Sequence, residues 1–151
     1  TYLPDFYGSM RDALNLGLAS DRFQVDWWVN TPRVQHRLSV NARHPLELEH
    51  YLSGEVRILN PARHAADGTV DITEWKDDLH TPPEAFLLVE IPPNFLGLKA
   101  IHPALATRWR THTRQIFETC FLQGYLVTDF VHLPGEPSCS YYVLCHGEST
   151  L

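Results

Sequence analysis

The last third of the chain alternates between short apolar runs and one long amphipathic stretch. Residues 86–91 (FLLVEI) form a nearly continuous apolar run ended by two prolines, which is typical of a strand buried on both faces. From Pro103 onward apolar side chains recur at helical spacing, and Gly124 is placed to end that helix. Residues 125–133 and 140–145 then predict two strands joined by a turn rich in proline and glycine. The pattern predicts an α+β unit with a mixed sheet, in the order strand, helix, strand and hairpin strand.

The first part of the chain carries weaker patterns. Residues 22–29 (RFQVDWWV) alternate with a period of two, which predicts a strand with one buried face. The residues expected on that face are Phe23, Val25, Trp27 and Val29. Residues 10–16 predict a short helix, and Pro32, preceded by an asparagine and a threonine, predicts a helical turn or two through Leu38.

The middle of the chain predicts a hairpin followed by a linker. Residues 55–59 and 69–73 both alternate, and they are expected to pair through a loop that closes at Asp67-Gly68. Residues 75–83 are charged and end in two prolines, which stiffen the chain and withhold amide donors. This second stretch is the best candidate for a boundary between two parts of the chain.

Composition narrows the class of protein. The chain has 151 residues, of which 44% are hydrophobic and 20% charged, values typical of a globular domain. Its net charge is −6 and its basic residues are scattered, so nucleic acid is excluded as a partner by the absence of a phosphate-binding patch. No apolar run approaches the roughly 18 residues that cross a bilayer, and no signal peptide opens the chain. A cytoplasmic protein without membrane contact is expected.

The cysteines and histidines predict no metal site. The chain has three cysteines, an odd number that favours reduced, buried thiols. Cys139, Cys145 and His146 are close in sequence, and His132 would face them across a hairpin. None of their spacings matches the regular spacing of zinc ligands.

The order of elements resembles the closing half of a GNAT-superfamily acyltransferase, with Gly124-Tyr125 at the helix end and Tyr141-Tyr142 in the last strand. Several stretches are similar to one group of predicted GNAT-type acetyltransferases: residues 2–10 (YLPDFYGSM), 14–18, 20–27 (SDRFQVDW), 86–92, 109–130 and 140–144. The resemblance implies three parts. Residues 1–41 are the end of an acyltransferase-like half, 42–83 an irregular connection with a hairpin, and 84–151 the GNAT-like half.

The resemblance implies acetyl-CoA as the cofactor of the full-length family, but no motif of this chain binds it. GNAT enzymes hold the CoA pyrophosphate on backbone amides of a Q/R-x-x-G-x-G/A loop at the start of a helix. None of the eight glycines here has that spacing. The chain, which begins without a methionine, is therefore expected to be the C-terminal part of a longer protein and inactive by itself.

Acyl transfer to an amine needs a base, an acid and donors for the oxyanion. Three residues of suitable type stand in the stretches that resemble the family: Tyr7, Asp26 and Glu90. Each has a structural alternative, since Tyr7 can be a packed ring and Asp26 a solvated carboxylate. Glu90 interrupts an apolar run, so its carboxylate must be paired or have a raised pKa. An ion pair with Arg110 or Arg114 is the structural alternative for Glu90.

Arg110 and Arg114 are four residues apart on the predicted helix and share a face, so they are candidates to bind a carboxylate or phosphate. A solvated or salt-bridged helix face is the alternative.

Two functions stay open. One is the C-terminal portion of a CoA-dependent N-acyltransferase with an unidentified amine acceptor, and the other is a non-catalytic α+β module for acceptor binding or dimerisation. The Trp-rich strand at residues 23–29 predicts a homo-oligomer, or a sheet completed by another chain.

Overall fold

The computed structural model describes residues 1–10, 16–26, 29–30, 32–39, 51, 54, 56–80 and 83–147. In chain order its elements are β1 (Tyr2–Leu3), β2 (Arg22–Phe23), α1 (Pro32–Leu38), β3 (Arg57–Ile58), β4 (Arg63–His64), β5 (Val70–Asp71), β6 (Phe86–Ile91), α2 (Phe95–Ile101), α3 (Pro103–Leu122), β7 (Tyr125–Leu133) and β8 (Cys139–His146). The helix predicted from Pro32 to Leu38 is confirmed. The short helix predicted at residues 10–16 falls mostly outside the described residues.

A four-stranded mixed sheet organises the C-terminal part of the chain, in the order β3, β6, β8, β7. β3 runs parallel to β6, whereas β8 is antiparallel to β6 on one side and to β7 on the other. The predicted α+β class with a mixed sheet is confirmed. The predicted order of strand, helix, strand and hairpin strand holds for β6, α3, β7 and β8, but the short helix α2, which the sequence pattern did not predict, lies between β6 and α3. Because β8 inserts between β6 and β7, the last strand of the chain occupies the interior of the sheet.

The sheet packs on two sides, because neighbouring side chains of a strand point to opposite faces. Leu87 and Val89 contact α3 at Ile116 and Phe117, whereas Leu88 packs on the other face against a cluster that includes Tyr141 and Val143. In β7 one extra residue lies between Val127 and Asp129. Such a bulge moves all later side chains to the opposite face. Consequently the start of β7 packs toward α3, and Val131 packs on the other side.

The long helix α3 has the extent that its pattern predicts. Pro103 stands in its first turn, and its buried residues follow the helical period: Ala106, Trp109, Thr113, Ile116, Phe117 and Cys120. Gly124 follows the helix with a φ of 86°, and its N–H donates to the Phe121 carbonyl at 3.1 Å. Glycine is favoured here because a Cβ destabilises this left-handed conformation.

Replacing Gly124 by alanine is expected to lower the free energy of unfolding by about 1 kcal/mol, the cost of placing a Cβ in the left-handed region. Nothing crowds the position, since the atom nearest to the new Cβ would be a His146 ring nitrogen at 3.5 Å. Urea unfolding followed by circular dichroism measures the effect. A Gly124→Asn variant, whose side chain tolerates this conformation better, should lose less stability; equal losses would contradict the conformational explanation.

The hairpin predicted between residues 55–59 and 69–73 is wrong in its pairing. β3 joins β6 in the main sheet, where Leu59 N–H also donates to the Leu88 carbonyl at 2.9 Å. β5 pairs instead with β4, at Arg63–His64. The turn at Asp67-Gly68 is where the sequence predicts it, but it closes a shorter loop. Apolar residues of β3 gain a buried neighbour in this arrangement, which a small exposed hairpin would not provide.

The strand predicted at residues 22–29 ends at Phe23. Its partner β1 has only two residues, so the ladder stops one residue further on, where Gln24 N–H donates to the Thr1 carbonyl at 2.7 Å. Val25 and Val29, which the alternation places on a buried face, are 74% and 61% exposed. Trp27 and Trp28 lie outside the described residues. The homo-oligomer or sheet completion that this strand suggested stays a prediction.

Residues 72–80 have no regular secondary structure but are held against the sheet. Trp75 and Leu79 pack on the cluster beneath α3. Arg57 of β3 forms ion pairs with Asp78 and with Glu84, each at 2.9 Å. This segment is therefore part of the packed structure. Among the described helices, none combines the length and apolar character needed to cross a bilayer.

Candidate functional site

A cavity of about 350 Å³ opens on the α3 side of the sheet; we call it the helix-side cavity. It lies where the N-terminal segment, the end of β6 and the first half of α3 meet. The side chains that determine its chemistry are Asp21, Phe23, Phe95, Arg110, Phe117 and Tyr142. The lining is thus rich in aromatic rings, with one carboxylate and two arginines. The second arginine, Arg22, already donates to the Asp21 carbonyl at 2.8 Å.

Three of these rings form the apolar wall. Phe23 lies edge-on to Phe117 and to Tyr142, with centroids 4.9 and 5.2 Å apart, and Phe117 and Tyr142 are 5.6 Å apart. Edge-to-face rings of this kind favour one packing geometry. Burial raises the pKa of Tyr142, so its phenol stays neutral at physiological pH. The wall is a preformed surface for the apolar part of a ligand.

Asp21 joins the N-terminal segment to α3. Its Oδ1 lies 2.5 Å from Arg114 Nη2 and its Oδ2 lies 3.1 Å from Arg114 Nε, so the pair is bidentate. The Tyr2 hydroxyl donates to Oδ2, and the Asp5 N–H donates to Oδ1 at 2.9 Å. Burial raises the pKa of Asp21, but the hydrogen bonds from Arg114, Tyr2 and Asp5 outweigh it and hold the pKa below its ordinary value. Asp21 is therefore a charged, fully occupied carboxylate.

Among the described residues, Arg110 is the lining residue of the cavity that has a buried side-chain nitrogen without a hydrogen-bond partner. Its guanidinium carbon lies 5.0 Å from the centroid of the Phe95 ring, a cation–π contact. Its Nε is buried and has no hydrogen-bond partner among the described residues. A buried donor without a partner costs free energy, which an incoming carboxylate or phosphate would recover.

The arginine pair of the sequence analysis thus divides into two roles. Arg114 forms the salt bridge that the sequence analysis gave as the alternative, and its partner is Asp21 of the same chain. Arg110 remains available in the cavity wall. Asp21 itself is the residue that sequence reasoning missed. It lies 93 residues from Arg114, and no local pattern signals such a contact.

The three candidate catalytic residues are not brought together. Tyr7 is 60% exposed, with the Arg22 guanidinium 5.4 Å from its ring centroid, and Asp26 is exposed. Neither lines the helix-side cavity. Glu90 is 3% exposed, but in β6 it points to the opposite face of the sheet from Val89.

Glu90 has different partners from the expected arginines. Its Oε2 accepts a hydrogen bond from Ala62 N–H at 2.8 Å, and its Oε1 lies 2.9 Å from His64 Nε2. The Asn60 side chain bridges the Glu90 backbone, bonding its N–H and its carbonyl, each at 2.9 Å. Arg110 and Arg114 are on the helix side and contribute nothing to Glu90, so the predicted ion pair is wrong in its partner.

One of the thiols is excluded as a nucleophile. Cys120 is fully buried on the inner face of α3, and burial raises its pKa to about 12. A thiol must ionise to attack a substrate, and this one stays protonated at neutral pH.

Comparison with known proteins gives no relative of this chain. No family model, no curated protein and no solved structure matches it. Its function therefore has to follow from the chemistry of its own residues.

Proposed function

We propose that this chain is the acceptor-binding, C-terminal part of a CoA-dependent N-acyltransferase of the GNAT type. In this proposal the helix-side cavity holds an amine that carries an apolar group and a carboxylate or phosphate. The observation that carries the proposal is the buried, unpartnered Nε of Arg110 in an aromatic cavity, as far as the described residues go. A site with one unsatisfied cation and several ring faces selects for a ligand with one anion and one apolar part.

The element order supports the proposal at the level of the fold. Apart from the additional short helix α2 between β6 and α3, the elements β6, α3, β7 and β8 follow one another as strand, helix, strand and hairpin strand. This is the order that the resemblance to the closing half of a GNAT acyltransferase implies. The mixed sheet, with β8 antiparallel to both of its neighbours, agrees with the same expectation.

In this proposal different cavity residues bind different parts of the acceptor. Arg110 would bind the anionic group through its guanidinium, oriented by the Phe95 ring beneath it. The wall of Phe23, Phe117 and Tyr142 would contact the apolar part. Asp21 has its oxygen atoms occupied, so its role is to fix Arg114 and the N-terminal segment and not to accept a substrate proton.

Acetyl-CoA does not fit the residues present. The sequence has no glycine in the spacing of a CoA pyrophosphate loop. We therefore assign this chain one role in the reaction, which is to bind the acceptor amine. The same observation favours a second candidate function, a non-catalytic module that binds the anionic ligand without transferring an acyl group.

Calorimetry with two matched probes tests the binding site. The wild-type chain should bind 3-phenylpropionate about tenfold to hundredfold more tightly than the neutral 3-phenylpropionamide, since a hydrogen bond to a charged group contributes about 1.5–3 kcal/mol. Arg110→Gln should remove this preference. Arg108→Gln is the matched control, because Arg108 lies on the same helix but its side chain is 64% exposed and faces Asp71 at 3.8 Å. Equal binding of the two probes by the wild-type chain would contradict the assignment.

An assay of acetyl transfer separates the two candidate functions. The protein as its gene encodes it is mixed with acetyl-CoA and phenylalanine, an amine with a ring and a carboxylate, and thiol release is measured. Thiol release that depends on the amine and falls in Arg110→Gln supports the transferase. Binding of 3-phenylpropionate without any amine-dependent thiol release supports the non-catalytic module.

A further inference from the structure

A second group of reactive side chains lies on the face of the sheet away from the helix-side cavity. His64, Glu90 and Cys139 each offer one ligand atom, and these atoms all lie within 4.8 Å of one another. His64 comes from β4, Glu90 from the interior strand β6, and Cys139 from the first position of β8. Three distant parts of the chain therefore converge on one point.

The geometry of His64, Glu90 and Cys139 distinguishes a catalytic triad from a metal site. His64 Nε2 lies 2.9 Å from Glu90 Oε1 and 3.7 Å from Cys139 Sγ. In a cysteine–histidine–acid triad, the thiol and the carboxylate contact different ring nitrogens, so that a proton can pass through the imidazole. Here both contact the same nitrogen, and His64 Nδ1 is buried without a partner among the described residues. The arrangement is not a proton relay.

Convergence of three donor atoms on one point is instead what a metal ion requires. Tetrahedral Zn²⁺ separates a nitrogen and a sulfur ligand by about 3.6 Å, and a nitrogen and an oxygen ligand by about 3.3 Å, from its bond lengths. The observed 3.7 Å between nitrogen and sulfur already matches. The 2.9 Å between nitrogen and oxygen has to open by about 0.4 Å. The Glu90 oxygen and the Cys139 sulfur, which lie within 4.8 Å of each other, have to reach the roughly 3.6 Å that tetrahedral zinc imposes.

We propose that His64, Glu90 and Cys139 form a Zn²⁺ site. Imidazole, carboxylate and thiolate are the three ligand types that zinc takes in proteins, and a thiolate disfavours Mg²⁺ and Ca²⁺. The charges also balance, because Glu90, which is buried, and ionised Cys139, which is partly exposed, together neutralise a divalent cation. The site uses none of the cavity residues assigned to the acceptor and is independent of the proposed function.

A backbone hydrogen bond orients the Glu90 carboxylate toward the proposed metal position. Ala62 N–H binds the second oxygen of Glu90 at 2.8 Å, leaving Oε1 directed toward His64. Such outer contacts orient metal ligands.

The site has access to a small molecule. His64 lines a cavity of about 660 Å³ between the β4–β5 turn at Gly68 and the loop before β8 at Pro137 and Ser138. Three protein ligands with an open fourth position are the arrangement of a catalytic zinc, which keeps a water or substrate on the metal. The expected fourth ligand is therefore water from this cavity.

Cobalt(II) titration of metal-free protein tests the site, since Co²⁺ reports a thiolate ligand by a charge-transfer band in the near ultraviolet. The wild-type chain should show this band, and Zn²⁺ should displace it. Cys139→Ala should abolish the band. The control is Cys145→Ala, at the far end of the same strand, which should keep it. Absence of the band from the wild-type chain, or its persistence in Cys139→Ala, would overturn the proposal and leave an ion pair of Glu90 with His64.

Conservative variants separate a ligand from a structural residue. Glu90→Gln keeps the size of the side chain and an acceptor for Ala62, and His64→Gln keeps a polar group. Each should weaken Zn²⁺ binding by more than the roughly 10- to 100-fold that loss of an outer partner costs. Zn²⁺ should raise the Tm of the wild-type chain and not of these variants. Equal Zn²⁺ affinity in folded wild-type and variant chains would contradict the proposal.

Discussion

Trp109→Ala is expected to lower the free energy of unfolding by about 4 kcal/mol, the usual range for removing a buried indole. Trp109 is 1% exposed and packs with Val70 and Ile72 under the first half of α3. Its Nε1–H donates to the Val70 carbonyl at 2.8 Å, which ties the β4–β5 hairpin to the helix. Truncation therefore leaves a cavity and an unsatisfied carbonyl together.

Trp109→Phe separates these two effects. The ring keeps most of the apolar volume, but the Val70 carbonyl loses its donor, at a cost of about 1–3 kcal/mol. Trp75→Phe is the matched control, because the buried Nε1 of Trp75 has no partner in the described part of the chain. Removing that N–H should cost less than removing the N–H of Trp109. Urea unfolding followed by far-ultraviolet circular dichroism measures the variants, and an equal or smaller loss in Trp109→Phe would refute the role of the hydrogen bond.

Most elements of the last third of the chain could be predicted because their patterns are dense and local; the exception is the short helix α2 at Phe95–Ile101. The buried run of β6 and the helical spacing of α3 each extend over enough residues to determine the element type and its limits. Gly124 marks the helix end through a conformation that glycine alone adopts freely. Here local preference and tertiary packing agree.

Alternation alone did not determine which strands pair or how far they extend. The pattern at residues 22–29 continues past Phe23, but β1 offers a ladder of only two residues, so Val25 is exposed. The alternating residues of β3 fit a hairpin or a sheet edge equally well on sequence alone. The buried neighbour β6 decided the outcome, and that contact joins residues about 30 positions apart.

The helix-side cavity and the proposed zinc site could be predicted only in part, because their contacts also join residues far apart in the chain. The shared helix face of Arg110 and Arg114 follows from their spacing, but which of them is paired depends on Asp21, far away in the chain. The three candidate zinc ligands come from separate segments, so no spacing motif exists between His64, Glu90 and Cys139. Only Glu90 carried a signal, as a carboxylate inside an apolar strand.

Asp21→Asn is the second change with a large expected effect. It removes the charge that holds Arg114, and breaking such a buried pair costs about 3 kcal/mol, near the lower end of the usual range because the Arg114 side chain is 29% exposed. The carboxamide would also turn a donor toward the guanidinium. Asp26→Asn is the control, since Asp26 is exposed on the same segment and should leave stability unchanged. Urea unfolding at neutral pH gives both values.

The stability that the Asp21–Arg114 ion pair contributes should also depend on pH. The pKa of Asp21 is lowered in the folded chain relative to the ordinary 3.8, so its contribution is complete well above that value and is lost as the pH falls through the folded pKa. The stability difference between wild type and Asp21→Asn should therefore be largest at neutral pH and shrink below pH 3.8. A difference that stays constant through this range would mean that the lost stability comes from shape and not from charge.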